Sequence, residues 1–235
     1  MKILAVSDVE DKRLEKAIDS HDDGLKSVDY IFSCGDLNCK YLEYITDGIN
    51  KSLYFVPGNH FTSDFCCKDC KPEHFYCSEN SRLQYGGINI HGHVEIVGDY
   101  IVAGFGGAMR YNHGVLQFEE PEMAELVKRA ARKIRIRRII DAVFFRKRKE
   151  IIAVSHAPIA GVHDKEDKCH SGFKAFRDFV FEMKPILWLH GHVHFEGQNK
   201  QQESVLDGTL VVNAYSSKII EINGSRVATK QIYDK

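Results

Sequence analysis

The sequence predicts an α/β fold in which buried β-strands are covered by helices. Three observations predict it: five short apolar runs, amphipathic helical patterns between them, and a side chain with metal-ligand chemistry at the end of each run. The chain has 235 residues, of which 43% are hydrophobic and 28% are charged. That composition is typical of a globular protein, and we expect a single domain over residues 1–235.

The five apolar runs are predicted to be strands. They are residues 2–8, 29–36, 52–60, 150–158 and 185–194. Each begins with nearly continuous β-branched, aromatic or leucine residues, which is typical of strands that are buried on both faces. Each ends in side chains that can bind a metal, namely Asp8, Asp36, Asn59 with His60, His156, and His192 with His194.

Helical patterns occupy the segments between those runs. The predicted helices are residues 11–20, 39–50, 121–149 and 173–183, and the longest has Pro121 near its start, where proline is well tolerated. Shorter strand-like runs are residues 88–91, 94–97 and 100–105. Residues 209–223 predict a hairpin, and residues 226–233 predict a closing strand.

Charge and composition argue against several classes of protein. The formal net charge is −1, so the chain as a whole has no general affinity for nucleic acid or membranes. No apolar run is long enough for a transmembrane helix, and the N-terminal MKILAVSD is too short for a signal peptide. We therefore expect a cytoplasmic protein with no membrane partner, whose seven cysteines are mostly reduced.

The polar strand ends predict a metal site. Ligands gather outside the carboxyl ends of strands in sheets of this type, so side chains from five runs are expected at one edge. Carboxylates, an amide oxygen and imidazoles suit divalent Mn, Fe, Zn or Ni, and the lack of thiolate argues against structural zinc. Two cations about 3.5–4 Å apart provide a metal-activated hydroxide at neutral pH. Hydrolysis of a phosphodiester or a phosphomonoester is the reaction that such a pair serves best.

Five motifs resemble, in order, those of the calcineurin-like metallophosphoesterase superfamily. They are SDVE (7–10), GDL (35–37), GNH (58–60), SHAP (155–158) and GHVH (191–194). The resemblance runs from residue 3 to about residue 220. Further segments, NIHG (89–92), GFGGAMRYN (104–112) and AGVHDKEDKCHSGFKAF (160–176), are similar to a bacterial branch of mostly uncharacterised phosphoesterases. The resemblance implies a layered αββα sandwich of two mixed β-sheets flanked by helices, with the metal site at the C-terminal ends of the strands.

The resemblance also implies a role for each motif residue. Asp36 would bridge both metals, Asp8 and His194 would hold the first, and Asn59, His156 and His192 would hold the second. His60 would not bind metal; it would face the phosphate and stabilise or protonate the leaving oxygen. The implied cofactor is one or two divalent ions, Mn, Fe, Zn, Ni or Mg.

Two positions depart from the family pattern. The first motif is usually Asp-x-His, but residue 10 is Glu. Glu10 is a provisional ligand that would favour Mn or Mg; alternatively it points away and the first metal is weak or absent. Phe61 replaces an acidic residue that often follows the GNH histidine. That loss could leave His60 a poorer acid. The changed first motif leaves open a second hypothesis, a ligand-depleted scaffold or binding protein with little activity, as is thought of the retromer subunit with this fold. The presence of His60 argues against it.

The segment CCKDCKPEHFYC (66–77) has the residue types of a small additional zinc site. Its ligands would be Cys67, Cys70, His74 and Cys77. The spacing is tighter than in the usual two-knuckle pattern, so a reduced surface loop is the favoured interpretation. A disulfide or redox pair is a third alternative.

The helical pattern over residues 121–149 holds eleven lysines and arginines. Such a helix could contact nucleic acid or an anionic surface. A solvated outer face is favoured instead, because no aromatic stacking platform interleaves the charges. In that interpretation the apolar residues turn inward: Leu126, Ala130, Ile134, Ile139 and Val143.

The remaining candidates are less specific. Arg110, in the loop 108–114, is a candidate for bidentate binding of a phosphate oxygen, and Asn112 and His113 are weaker candidates. The resemblance suggests that residues 164–170 close over the site. His91 and His190 are interpreted as structural. The sequence predicts neither the substrate nor the oligomeric state.

Overall fold

The predicted strands and helices form, with shifted ends, in a computed structural model that describes residues 1–60, 83–84, 86–194 and 202–230. The strands are β1 (Lys2–Ser7), β2 (Tyr30–Ser33), β3 (Leu53–Phe55), β4 (Leu83–Gln84), β5 (Gly87–Asn89), β6 (Val94–Val97), β7 (Tyr100–Phe105), β8 (Ala108–Met109), β9 (Gln117–Phe118), β10 (Glu150–Ser155), β11 (Leu187–His190), β12 (Glu203–Leu206), β13 (Thr209–Asn213), β14 (Ser216–Asn223) and β15 (Arg226–Lys230). The helices are α1 (Lys12–Asp19), α2 (Asp23–Lys26), α3 (Cys39–Ile49), α4 (Glu120–Val143) and α5 (Lys174–Met183).

The strands form two large mixed sheets and one small one. The first sheet has the order β15-β14-β1-β2-β3-β5-β4, and the second has the order β12-β13-β11-β10-β7-β6. β8 and β9 form a separate parallel pair. In the first sheet β1, β2, β3 and β5 are parallel, and in the second β7, β10, β11 and β13 are parallel. The strands that end in predicted ligands therefore point the same way within each sheet.

Three layers of buried side chains make this an αββα sandwich, as the family resemblance implies. Ile3 and Ala5 of β1 join a central layer with Ile152 and Val154 of β10, whereas Leu4 and Val6 face α1 and α3. Ile151 and Ala153 of β10 face the opposite way, towards α4 and α5. This alternation follows from the two-residue repeat of a strand with both faces covered.

The predicted hairpin over residues 209–223 is wrong. β13 pairs with β11 in the second sheet, whereas β14 pairs antiparallel with β1 in the first. The chain crosses between the sheets at Ala214 and Tyr215. The hairpin that does form joins β14 to β15. A change of sheet is not visible in local apolar patterns, because both strands are equally apolar.

The predicted long helix ends six residues early. α4 stops at Val143, and Phe145 takes a left-handed conformation with φ of 53°. Ala130 and Ile134 are buried as predicted, but Ile139 and Val143 are exposed, so the inward orientation predicted for these two is wrong. Within the described residues, no helix is long and apolar enough to cross a membrane.

Candidate metal centre

Three predicted ligands occupy unusual backbone positions within three residues of the end of a strand. Asp8, Asp36 and His192 have positive φ angles of 68°, 56° and 68°. Left-handed backbone is uncommon for residues other than glycine, and such outliers cluster at functional sites. The sharp turn brings each side chain to the edge where the strands end.

The two sheets meet at this edge through Asp8. Its carboxylate is buried, and both of its oxygens lie 3.0 Å from the backbone N–H of His192, which donates to them. The backbone N–H of Asp8 donates to the Gly35 carbonyl over 3.1 Å. His194 Nε2 lies 3.6 Å from Asp8 Oδ1, and the pKa of His194 is raised chiefly by its hydrogen bond with this carboxylate.

A second group of donor atoms surrounds His156. Its Nδ1–H donates to the Cys34 carbonyl over 2.7 Å, which leaves the lone pair on Nε2. Nε2 lies 2.9 Å from Asn59 Oδ1 and 3.2 Å from Asp36 Oδ2. Two oxygens and one nitrogen, all electron-pair donors, therefore converge on one point.

Such a convergence needs a positive charge. Burial opposes a proton on His156, but the adjacent Asp36 carboxylate outweighs burial and raises the pKa of His156 to about 9. Burial would raise the pKa of Asp36, yet His156 and the N–H of His60 lower it to about 2. A divalent cation satisfies the same three donor atoms and releases the proton.

His192 completes this group. One donor atom each from Asp36, His156 and His192 lie within 4.8 Å of one another. The Nε2–H of His192 donates to the Cys169 carbonyl over 2.7 Å, so Nδ1 is its unprotonated nitrogen. Burial lowers the pKa of His192 to about 3, which keeps the ring neutral and able to bind a metal. Donors about 2.0–2.2 Å from one cation lie within about 4.4 Å of each other, so only a small contraction is needed.

Glycines in three motifs make room for these side chains. A Cβ on Gly58 would overlap the Asp36 carboxylate, and a Cβ on Gly191 would lie 2.6 Å from Asp8 Oδ2. Gly35 has φ of 103°, and a Cβ there would lie 2.7 Å from His156 Nδ1. The glycine of each motif is thus explained by close approach of the backbone to a predicted ligand.

The other predicted site residues are less closely joined to this cluster. His60 is exposed, and its backbone N–H donates to Asp36 Oδ1 over 3.1 Å. Glu10 is also exposed, whereas the next residue, Asp11, is buried and accepts hydrogen bonds from Ser216 and Ser217. The guanidinium of Arg110 pairs with two carboxylates of the α4 N-terminus, Glu119 at 3.2 Å and Glu122 at 3.0 Å.

Sequence reasoning missed several partners of the predicted ligands. The hydroxyl of Tyr111 accepts a hydrogen bond from Asn59 Nδ2, and the side chains of Tyr111 and Cys169 are also hydrogen-bonded. His170 lies beside His192, with ring centroids 5.2 Å apart. Cys169, His170 and His192 also bring donor atoms within 4.8 Å, but the Cys169 carbonyl already occupies His192 Nε2. The position of the loop 108–114 between two motifs makes it a candidate, but nothing in the sequence favours Tyr111 over its neighbours.

The remaining candidate residues are hydrogen-bonded within the fold, are exposed, or lie outside the residues that the structure describes. The Asn112 carboxamide oxygen accepts from Gly114 N and from Gln117 Nε2, which holds a turn, and His113 is exposed. His190 is hydrogen-bonded to His163, and His91 Nδ1 accepts from Gly106 N. Phe61 and the candidate zinc ligands Cys67, Cys70, His74 and Cys77 lie outside the described residues.

Comparison with known proteins gives a family and a fold. A family model described as calcineurin-like phosphoesterase matches residues 1–196. No curated protein matches the chain. Among solved structures, the TT1561 protein of Thermus thermophilus is 16% identical, with a TM-score of 0.59 and 98% of each chain covered. GAP50, the anchor in the inner membrane complex of Plasmodium, is 10% identical, with a TM-score of 0.53 over 98% of this chain and 83% of its own. At these identities the likeness concerns the fold alone.

Proposed function

The chain belongs to the calcineurin-like phosphoesterase family, and on that premise we propose that it hydrolyses a phosphodiester or a phosphomonoester with divalent cations held at the strand ends. The convergence of Asp36 Oδ2, Asn59 Oδ1 and His156 Nε2 on one point carries the proposal. A divalent cation would satisfy these three electron-pair donors, which face one another in a buried edge, and the hard and borderline donors suit Mn, Fe, Zn, Ni or Mg.

We assign the ligands as two sets that share Asp36. Asn59, His156 and His192 would hold one cation together with Asp36. Asp8 and His194 would hold the other, and Glu10 joins this set only if its exposed side chain turns inward. Bound cations of this kind activate water for attack and neutralise charge on the phosphoryl oxygens.

The chain's own residues would orient these donors and handle the leaving group. The carbonyls of Cys34 and Cys169 accept from one nitrogen of His156 and of His192, so that the other nitrogen of each ring would face the cation, which displaces the proton from His156. His60 is assigned to the leaving oxygen, because its backbone is held by Asp36 while its side chain is exposed at the open edge. Arg110 is assigned to a phosphoryl oxygen, and this role requires it to exchange a carboxylate partner for substrate.

Metal content and turnover of one sample test the proposal. Protein stripped of metal and reloaded with Mn²⁺ should bind one to two ions per chain and hydrolyse bis(p-nitrophenyl) phosphate or p-nitrophenyl phosphate. Asp36→Ala and His156→Ala should each remove at least one ion and abolish turnover, because each deletes a ligand. His60→Ala should lower turnover about 10²–10⁴-fold with the metal content unchanged. His21→Ala, an exposed histidine outside the cluster, is the matched control.

The same experiment separates the enzyme from the scaffold hypothesis. Stoichiometric metal without turnover in Mn, Fe, Ni and Zn would favour a binding protein built on this fold. The exposed position of Glu10 gives that alternative its structural basis, since it leaves Asp8 and His194 as the ligands specific to one cation. A chain that takes up no metal at all would contradict both the ligand assignment and the hydrolase.

A further inference from the structure

The end of α4 presents a phenylalanine to solvent at a backbone position that normally belongs to glycine. Arg146 N donates to the Asp141 carbonyl over 2.7 Å, and Phe145 N donates to the Ala142 carbonyl over 3.2 Å. These two bonds form a Schellman cap, in which the residue with left-handed backbone is usually glycine. Here that residue is Phe145, with φ of 53° and a side chain that is 98% exposed. The fold thus retains a strained, apolar residue where a glycine would be more stable.

Phe145 extends an apolar stripe along the outer face of α4. Ile136, Ile139, Ile140 and Val143 have the i, i+3, i+4, i+7 spacing of one helix face, and all four are exposed. Phe144, at the helix end, is exposed as well. The buried face of the same helix is a different set, Met123, Val127, Ala130, Ala131 and Ile134. The C-terminal half of α4 therefore has an apolar face that is not part of the core.

Positive charge surrounds this stripe. Between residues 132 and 149 there are nine lysines and arginines and one acidic residue, Asp141. Arg138 Nε and Nη2 are buried without a hydrogen-bond partner in the described part of the chain. The guanidinium of Arg146 lies 5.4 Å from the Phe144 ring centroid. Exposed isoleucines and phenylalanines flanked by lysines and arginines favour a partner that is both anionic and apolar.

We propose that this surface, the α4 tip (Ile136, Ile139, Ile140, Val143, Phe144 and Phe145 with the basic residues of 132–149), binds the surface of an anionic phospholipid bilayer. Phosphate headgroups would accept hydrogen bonds from the exposed Lys147 and Arg148, while the stripe and Phe145 enter the boundary between headgroups and acyl chains. The expectation of no membrane partner rests on the net charge of −1 and on the lack of a spanning run. A surface contact needs no such run, and the positive charge here is local to the α4 tip.

Charge and shape favour lipid over the other partners. A second copy of the chain would place the same positive charges opposite one another, which disfavours a symmetric dimer through this face. Nucleic acid would satisfy the arginines, but isoleucine and valine offer bases no stacking surface. A bilayer supplies both the negative charge and the apolar interior.

The proposed lipid surface and the metal centre lie at opposite ends of the strands of the second sheet. The tip leads directly into the start of β10 at Glu150, whereas His156 follows the other end of the same strand. The inference therefore does not depend on the proposed hydrolysis, and substitutions at the tip should leave turnover of a soluble substrate unchanged.

Vesicle sedimentation tests the proposal. The full chain should bind vesicles containing about a third phosphatidylglycerol in phosphatidylcholine, and not vesicles of phosphatidylcholine alone. Phe145→Gly should weaken binding about tenfold and raise the melting temperature, because glycine relieves the left-handed strain while the inserted ring is lost. Binding and stability moving in opposite directions is a result that a misfolded variant cannot produce.

Two further variants test whether vesicle binding depends on the positive charges and on this particular apolar surface. Lys147→Gln with Arg148→Gln should weaken binding about five-fold per charge and reduce its salt sensitivity. Val205→Ser, which removes another exposed apolar side chain on β12, is the matched control and should change nothing. Equal binding to neutral vesicles, unchanged binding of Phe145→Gly, tip-dependent dimerisation in the absence of lipid, or tighter binding to an oligonucleotide than to vesicles would each overturn the proposal.

Discussion

Asn59 and Tyr111 are joined by a hydrogen bond that fixes which atom of the Asn59 amide faces the other predicted ligands. Asn59 Nδ2 donates to the Tyr111 hydroxyl over 3.1 Å, and Asn59 Oδ1 consequently points to His156 Nε2, 2.9 Å away. An amide has one end that can bind a cation and one that cannot, and the two are nearly equal in shape. Tyr111 therefore holds the amide of Asn59 in the orientation that the proposed metal binding needs.

We expect Tyr111→Phe to weaken metal binding by about 10–100-fold, the usual effect of losing a group that orients a ligand. Without the hydroxyl, the amide can rotate and present its NH₂ to the cation. Calorimetric titration of metal-free protein with Mn²⁺ measures the change directly. A dissociation constant within twofold of the wild type would contradict the role given to Tyr111.

The matched control replaces the amide by a carboxylate. Both oxygens of an aspartate can bind a cation, so orientation no longer matters in Asn59→Asp. Adding Tyr111→Phe to Asn59→Asp should then have little effect on the affinity for Mn²⁺. An equal loss in both backgrounds would mean that Tyr111 acts through general packing and not through the amide.

Gly58→Ala should disturb the site by steric overlap alone. The backbone of Gly58 does not have positive φ, so alanine can adopt it, but the added methyl group would occupy the place of the Asp36 carboxylate. We expect the free energy of unfolding to fall by about 1–3 kcal/mol, as in other overpacked sites, and metal content to fall with it. Urea denaturation and metal analysis measure the two effects.

A double-mutant cycle identifies the cause of that loss. In an Asp36→Ala background the carboxylate is absent, so the closest overlap with the methyl group of Gly58→Ala is removed and only the contact with the backbone nitrogen of residue 36, at 2.8 Å, remains. The cost in stability should then be at least halved. If Gly58→Ala costs the same with and without Asp36, the close approach of these two residues is not what requires glycine.

We expect the free energy of unfolding to fall in mild acid because of two hydrogen-bonded histidines, His190 and His163. The Ser204 hydroxyl donates to His163 Nε2 (2.9 Å), His163 Nδ1–H donates to His190 Nε2 (2.9 Å), and His190 Nδ1–H donates to the Gly191 carbonyl (3.0 Å). Both rings must be neutral for this chain of bonds. Burial lowers the pKa of His190 to about 3 and that of His163 to about 4.

The sign of the effect follows from proton uptake. In the unfolded chain these histidines titrate near 6.5, so below that pH the unfolded state binds more protons than the folded state. The stabilisation from the neutral histidines is therefore fully present above pH 6.5, and the free energy of unfolding declines towards pH 4. The slope is up to about 1.4 kcal/mol per pH unit for each histidine. It is smaller for His163, which is partly exposed. Urea denaturation of metal-free protein at pH 7, 6, 5 and 4 should give a shallower decline for His190→Gln, and an unchanged decline for His21→Gln. Equal slopes for wild type and His190→Gln would contradict the prediction.

Local patterns predicted the strands well, because burial on both faces leaves a continuous apolar run with a clear end. β1, β2, β10 and β11 all lie inside the predicted runs. Long-range pairing was not predictable in this way. Lys2 pairs with Glu221 across almost the whole chain, and nothing within residues 209–223 shows that β13 and β14 belong to different sheets.

The predicted ligands could be found because they belong to motifs, whereas the groups that orient them could not. His156 depends on the carbonyl of Cys34 and His192 on the carbonyl of Cys169. Any residue type provides a carbonyl, so the sequence carries no signal for these contacts. The end of α4 was missed for a similar reason, since a phenylalanine gives no sign that it will take the left-handed conformation usual for glycine.

Arg110 provides a last prediction, because two different roles for it have different kinetic effects. Its guanidinium pairs with Glu119 and Glu122 at the start of α4, with distances of 3.2 and 3.0 Å. If Arg110 also binds a phosphoryl oxygen, Arg110→Gln should raise KM about tenfold with little change in kcat, because uniform binding energy is lost. Glu122→Gln should lower KM, since it removes a competing carboxylate from the guanidinium. Steady-state kinetics with a chromogenic phosphodiester would show both effects. A purely structural Arg110 predicts the opposite pattern: both variants lower the melting temperature, and neither changes KM.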